Sequence, residues 1–280
     1  MGLLHLQENR PVKQYIHTET RLAIPRIYNP QELREEISSE LGKEYFAYIK
    51  NVLRLKKGDE LILFDGMGHE YTTIIRDFYS RNVCLDIIKK ETIKLPPIHI
   101  TLAQSLPKGS KMDLIIQKST ELGASRIVPF ISSRSISRLA GTRATGKAAR
   151  WRKIAIEASR QCGRGNVPEV NEIVSFNEML SKPDRHNLRI ILWEAEPDLG
   201  IKEILMDEKH AGANSFFIVI GPEGGFSWEE IDKARQCGFI SSSLGKLILR
   251  TETAPLAILS ILQYEKGVFG TLAQTERERK

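Results

Sequence analysis

A chain of 280 residues, 41% hydrophobic and 27% charged, exceeds the usual size of one domain and has the balance of an ordinary globular protein with two. No apolar run approaches the roughly 18 residues of a membrane span, and no hydrophobic signal segment opens the chain, so a cytoplasmic protein is expected. Its net charge of +6 points toward an anionic partner, while three scattered cysteines and six histidines in no metal-ligand spacing imply reduced thiols and no metal.

Residues 1–23 are polar and aperiodic, with no core-forming pattern. Beyond them, Leu61–Phe64 is a short apolar strand between the turn signals Lys57-Gly58-Asp59 and Asp65-Gly66. Tyr71–Phe78 and Val83–Ile88 follow as further strands, and closely spaced short strands predict a small β-barrel over 24–95. Leu95-Pro96-Pro97 reads as a stiff link into a second domain, 96–280. There, Ile98–Gln104 is the first strand. The helix after Pro107-Lys108-Gly109 puts Met112, Ile115, Ile116, Ser119 and Leu122 on one face and stops at Gly123. Arg126–Phe130 is the next strand.

The basic excess lies in one part of the chain. Residues 96–171 hold 13 Lys and Arg against 4 Asp and Glu, whereas 172–280 hold 13 against 17. Seven cations fall between Arg134 and Lys153, Arg138 and Arg143 among them, and a polyanion such as RNA is the physical reading. For most single arginines here, a solvated surface charge explains the residue equally well. A helix through Trp151, Ile154, Ala155 and Ala158 carries this region to Gln161-Cys162-Gly163-Arg164.

The last third alternates strands and helices, which predicts an open, mostly parallel α/β sheet. Arg189–Trp193 is a strand ending in Glu194, and Ile201–Met206 is a helix. Phe216–Ile220 is a buried strand stopped by Gly221-Pro222-Glu223-Gly224-Gly225, and Ser227 with Glu230 makes a capping box that starts the next helix. Ser243-Leu244-Gly245 then opens a predicted strand, Leu244–Leu249, leading through Arg250-Thr251-Glu252-Thr253 into a helix over Pro255–Tyr264. The carboxyl ends of these three strands are expected to converge on a ligand. Glu223, Glu229 and Glu230 would repel a pyrophosphate, and the phosphate-loop spacings are absent, so a neutral or cationic ligand fits better. S-adenosylmethionine, an adenosine joined to a sulfonium, meets that description. A tight turn on a core strand is the alternative for the glycine loop taken alone.

The two loops together, GPEGG at 221–225 and LG-x-x-[IV]-LR-x-ETA at 244–254, resemble the family that methylates N3 of a uridine in small-subunit ribosomal RNA. The Pro107–Gly123 block is similar to that family's PKG-x-[KR]-MD-x-x-x-QK-x-TELG motif. The resemblance runs from Ile24 onward and leaves 1–23 as an extension. It implies a two-domain α+β protein: a PUA-like RNA-binding β-barrel, then an α/β SPOUT domain with a C-terminal trefoil knot. It further implies S-adenosylmethionine as cosubstrate, 16S rRNA near the decoding region as target, and a homodimer. Trp193, Glu194, Gly221, Pro222, Glu223, Gly224, Gly225, Ser243, Leu244, Gly245, Leu249 and Thr251 become cofactor-binding candidates. Arg26, Arg54, Lys108, Lys118, Arg134, Arg138 and Arg143 become RNA-binding candidates, Lys108 and Lys118 having equally good structural roles. Tyr48 stands where many relatives carry histidine.

Uridine N3 becomes nucleophilic only when its proton leaves, so charge develops over N3 and the two carbonyl oxygens. An arginine beside those oxygens would stabilise it, and Arg164 and Arg250 are the candidates. Glu252 is a candidate base, or an orienting carboxylate, or a structural partner of an arginine. A non-catalytic RNA-binding assembly factor would keep the barrel and the basic stretch but would have no need of the two glycine loops.

Overall fold

The computed structural model describes residues 24–33, 39–94, 96–135, 142–181, 188–267 and 269–270, with side chains from 146 onward in the helix that begins at 142. The expected extension 1–23 and Arg138 lie outside the described residues, as does the side chain of Arg143.

The N-terminal sheet has five strands. β1 (Arg26–Tyr28) pairs parallel with β3 (Glu60–Phe64), β3 pairs antiparallel with β4 (His69–Tyr79), β4 with β5 (Asn82–Thr92), and β5 with β2 (Ser39–Leu41). Tyr71, Thr73 and Ile75 alternate inward along β4, and Val83 and Leu85 do so along β5, so one face of the sheet is dry. Two register shifts between β4 and β5 add local bend and twist, which lets strands this long curl around a shared core. A short helix α1 (Lys43–Ala47) runs into a single π turn that buries Ile49 against that core.

The C-terminal sheet is parallel throughout, in the order β12-β10-β11-β6-β7-β8, with β9 (Val174–Ser175) also on β7. Its strands are β6 (His99–Ser105), β7 (Arg126–Ile131), β8 (Glu169–Val170), β10 (Leu188–Leu192), β11 (Ser215–Ile220) and β12 (Ile240–Ser242). Both faces are covered, which is why β11 reads as one apolar run instead of an alternating one. Phe216, Ile218 and Ile220 pack toward α2 (Lys111–Glu121), α3 (Thr142–Cys162), α5 (Ile201–Met206) and α7 (Ala254–Glu265). Phe217 and Val219 face the layer of α4 (Phe176–Ser181) and α6 (Trp228–Gln236). The capping box is present: Ser227 Oγ accepts from Glu230 N, and Glu230 Oε2 accepts from Ser227 N.

One expected strand is misplaced by the sequence reading. The strand is Ile240–Ser242, not Leu244–Leu249. Among the described residues its neighbour is β10, which ends at Leu192 opposite Ser242, so beyond the single bridge from Ser243 to Gly200 the chain has no ladder to join. Leu247 and Ile248 consequently stand 80% and 82% exposed.

The two sheets meet at a tight seam. Val167 N donates to Gly66 O at 3.0 Å and Gly68 N to Gly165 O at 3.2 Å. Arg26 Nη2 donates to Arg164 O at 3.0 Å, and the Arg160 guanidinium lies 5.8 Å from the Tyr48 ring centre. Tyr48 therefore has a partner within the chain.

Candidate functional site

A cleft of about 810 Å³ opens at the carboxyl ends of β10, β11 and β12. The chain reverses direction across the sheet there, β10 and β12 lying beyond β11 while β7 and β8 lie on the other side of β6. Open parallel sheets bind ligands at such a point. The wall after β10 includes Trp193, whose ring meets that of Trp228 edge-on at 4.5 Å. Glu196, from the same segment, is clamped by Arg235 Nη2 at 2.9 Å and by the Ser241 hydroxyl.

The loop after β11 is held from below. Thr251 Oγ1 donates to Gly221 O at 2.7 Å, and Gln104 Nε2, at the buried end of β6, donates to Thr251 Oγ1 at 3.1 Å. Gly225 has φ +66°, and a Cβ on it would collide with the Glu194 carboxylate. The turn therefore needs glycine at that position for its backbone angle, while a Cβ there would also have to displace the Glu194 carboxylate.

Eleven of the twelve residues predicted to bind the cofactor line this cleft; Gly224 does not. Its carbonyl instead accepts from Arg134 Nη1 at 2.9 Å, on the outer side of the loop. The carboxylates of Glu194, Glu196 and Glu223 share the cleft with Lys111, Lys246 and Arg250. Glu223 receives the Lys108 N–H at 3.1 Å and the Lys111 ammonium at 3.1 Å. Burial acts to raise its carboxyl, but its own main-chain N–H, Lys111 and the Lys108 N–H outweigh that and hold it below the usual range. Apolar walls from Leu192, Leu244 and Leu249 beside carboxylates suit a nucleoside that also carries a cation, which S-adenosylmethionine is.

The predicted catalytic trio is not brought together. Arg250 lines the cleft, and Glu252 lies beside it with Oε2 3.0 Å from Lys111 Nζ. Its ion-pair partner is thus Lys111, and Arg250 adds a weaker attraction. Arg164 is elsewhere: its Nη1 donates to Thr120 O at 2.6 Å and to Ala124 O at 2.9 Å, capping the end of α2. Burial pushes its guanidinium below the ordinary value, with Cys162 working the other way. Within this chain Arg164 fastens α3 to α2 and, through its carbonyl, to Arg26.

The RNA candidates divide similarly. Arg26 pairs with Glu70 at 2.6 Å and stacks 5.1 Å from the Phe64 ring, which makes it a seam residue. Lys118 pairs with Glu121 one turn on, at 2.9 Å. Lys108 contributes its main-chain N–H to Glu223. Arg54 is exposed in a left-handed backbone conformation, φ 57°. Lys111, Gln104 and Glu196 were missed. Lys111 occupies the [KR] position of the quoted motif, and that was the available signal; nothing local marks the other two.

The family model described as an RNA methyltransferase domain matches residues 94–263, and one described as an RNA methyltransferase PUA domain matches 41–79. Ribosomal RNA small subunit methyltransferase E of Bacillus subtilis is 34% identical over 84% of this chain and 93% of its own. The protein of the same name from Buchnera aphidicola subsp. Schizaphis graminum is 35% identical over 87% and 97%. A crystal structure of ribosomal RNA small subunit methyltransferase E from Neisseria gonorrhoeae, bound to S-adenosyl methionine, superposes with a TM-score of 0.79 at 35% identity, covering 88% of this chain and 99% of that one. With matches of this extent in both sequence and fold, the chain belongs to the ribosomal RNA small subunit methyltransferase E family of RNA methyltransferases.

Proposed function

We propose that this protein transfers a methyl group from S-adenosylmethionine to N3 of a uridine in 16S rRNA, near the decoding region of the small ribosomal subunit. The observation that carries the reading is the convergence of three carboxyl-terminal loops on one cleft that holds Arg250 at its wall. Bound there, S-adenosylmethionine supplies an electrophilic methyl on a sulfonium. Glu194 brings a carboxylate to the cleft that suits a cation there, and Leu192, Leu244 and Leu249 give the nucleoside an apolar wall. Arg250 is the donor available for a uridine carbonyl oxygen, where it stabilises the charge that develops as N3 loses its proton. In the balance of the step, the N3–H and S–CH3 bonds break, the N3–CH3 bond forms, and the proton leaves to solvent or a base. Burial acts to raise the Glu252 carboxyl, but its own main-chain N–H and Lys111 outweigh that and keep it ionised, so it serves better to orient the arm carrying Arg250 than to take a proton.

The reading divides the chain into a PUA-like barrel over 24–95 and a SPOUT domain over 96–280, acting in the cytoplasm. Arg54, Arg138 and Arg143 are its RNA contacts. A C-terminal trefoil knot belongs to the same proposal. It is supported by the way 243–253 is stitched between two other loops, Ile201 N donating to Ser243 O at 3.0 Å and Thr251 to Gly221 O at 2.7 Å. Homodimer formation fits the exposed Leu247 and Ile248 beside the cleft, an apolar pair of the sort that an interface covers. No helix among the described residues is long and apolar enough to cross a membrane. The test is incubation with labelled S-adenosylmethionine and small subunits, then nucleoside analysis. Label in N3-methyluridine is expected; rRNA binding without any transfer would indicate a non-catalytic assembly factor.

A further inference from the structure

Lys111 is the first residue of α2, set at the carboxyl end of β6 by the turn through Pro107-Lys108-Gly109. Its ammonium lies 3.1 Å from Glu223 Oε1 and 3.0 Å from Glu252 Oε2. Those carboxylates belong to different parts of the site. Glu223 is in the loop after β11 that forms the cofactor side of the cleft, and Glu252 is in the arm before α7, two residues beyond Arg250. Two carboxylates so near one point repel unless a cation lies between them, and Lys111 is that cation.

Among the described residues, the arm's other anchors include Gln104 Nε2, which donates to Thr251 Oγ1 at 3.1 Å. Thr251 Oγ1 reaches Gly221 O, and the turn closes on itself through Thr253 N and Ala254 N, which donate to Arg250 O at 2.8 and 3.0 Å. Thr251 fixes one side of the arm to the cofactor loop. Glu252 fixes the other side to α2. The Arg250 side chain is exposed, so its placement depends on the backbone that carries it.

We propose that Lys111 is a positioning residue, a single cation that fastens the cofactor loop through Glu223 and the arm through Glu252 into one unit and so sets where Arg250 stands. The proposal rests on the methyl-transfer reading of this cleft. It assigns the lysine to the architecture of the site and not to RNA, because an ammonium already between two carboxylates is a poor partner for a phosphate. The carboxylates of Glu252 and then Glu223, which accept from the Lys111 ammonium, raise it above its ordinary value, so the fastening stays charged at neutral pH. At 36% side-chain exposure the pair is screened, and its effect on global stability is small compared with its effect on the arm.

The experiment uses the full-length protein with Lys111→Met, Lys111→Arg, Glu252→Gln and the Lys111→Met/Glu252→Gln double variant. Single-turnover methyl transfer on saturated complexes is measured beside amide hydrogen exchange over 249–253 and the salt dependence of rRNA binding. Lys111→Met is expected to slow the saturated rate about tenfold or more and to speed exchange of the arm amides, leaving the salt slope unchanged. Lys111→Arg should recover most of the rate, since a guanidinium can also span two carboxylates. The double variant should be no slower than the slower single one, because both changes cut the same tie. An unchanged saturated rate and unchanged arm exchange would overturn the proposal, as would a salt slope reduced by about one charge, which would make Lys111 a phosphate contact. If the unmodified protein transfers no methyl to rRNA, the methyl-transfer reading fails, and arm exchange in Lys111→Met still decides whether the lysine fastens the two loops.

Discussion

Arg164 donates through Nη1 to the main-chain oxygen of Thr120 at 2.6 Å, and the same nitrogen reaches Ala124 O at 2.9 Å. A long basic side chain at the end of a basic helix thus points into the protein, where it joins the Gly123 N–H on Thr120 O and reaches Ala124 O just beyond α2.

Arg164→Ala is therefore expected to act on stability. Thr120 O keeps the Gly123 N–H, so the loss is that of the two charge-assisted bonds, on the order of 1–3 kcal/mol in all. Urea denaturation should register that loss, whereas the single-turnover rate of the protein that remains folded should stay within a few fold. Lys in its place should rescue only in part, because an ammonium that reaches the two carbonyls cannot also donate to Asn166 Oδ1 as Arg164 Nε does. A large rate loss at unchanged stability would return Arg164 to the catalytic set.

Arg250 now carries the catalytic expectation. Arg250→Ala should lower the single-turnover rate about 10²–10³-fold, the range for loss of one donor to developing charge. Affinity for S-adenosylhomocysteine, read by calorimetry, and for rRNA should move far less, since the charge it meets exists only in the transition state.

The two adjacent glycines should behave differently. Gly225→Ala forces a left-handed alanine and drives its Cβ into Glu194, so affinity for S-adenosylhomocysteine should fall at least about tenfold. Gly224→Ala meets only Arg134 Cβ at 3.4 Å, an ordinary contact, and should bind nearly as well as the unmodified protein. Equal losses would mean that the loop rearranges when it binds.

Reversing Arg138 and Arg143 to Glu should weaken rRNA binding and flatten its dependence on salt, by roughly 0.7–0.9 in the logarithmic slope for each cation lost. Affinity for S-adenosylhomocysteine should not change. A preserved slope would leave this stretch as solvated surface.

Asp65 should make the seam between the two sheets sensitive to acid. Its carboxylate accepts from Met67 N at 2.7 Å, His69 N at 3.0 Å and His69 Nδ1 at 2.7 Å, which shapes the turn that meets Asn166 and Val167. Burial acts to raise the carboxyl, but the two main-chain N–H groups and the histidine prevail and depress it. A depressed folded value means stability that is fully present above the ordinary aspartate range. It is lost as pH falls from that range through the lower folded value. Thermal melts across acidic pH should show that loss, and Asp65→Asn should remove this part of the pH dependence.

Much of the fold was legible because it rests on local chemistry. Strand Phe216–Ile220, the glycine loop and the Ser227–Glu230 box involve residues within a few positions of one another, and each physical rule applies over that span. The cleft followed from the same logic, since carboxyl ends of parallel strands necessarily lie along one edge of a sheet. Partner choice was not legible. Arg164 found Thr120 and Ala124 across 44 and 40 residues of chain, and Lys111 found Glu223 and Glu252 from still farther away. Leu247 and Ile248 look like core in sequence and stand in solvent because β10 stops at Leu192. The sequence by itself determined most of the strands, loops and helices, though not the strand at Ile240–Ser242, and what chemistry they carry. Only the tertiary structure decided which charges meet, because an arginine costs nothing to place on any surface until packing brings particular carbonyls or carboxylates within reach.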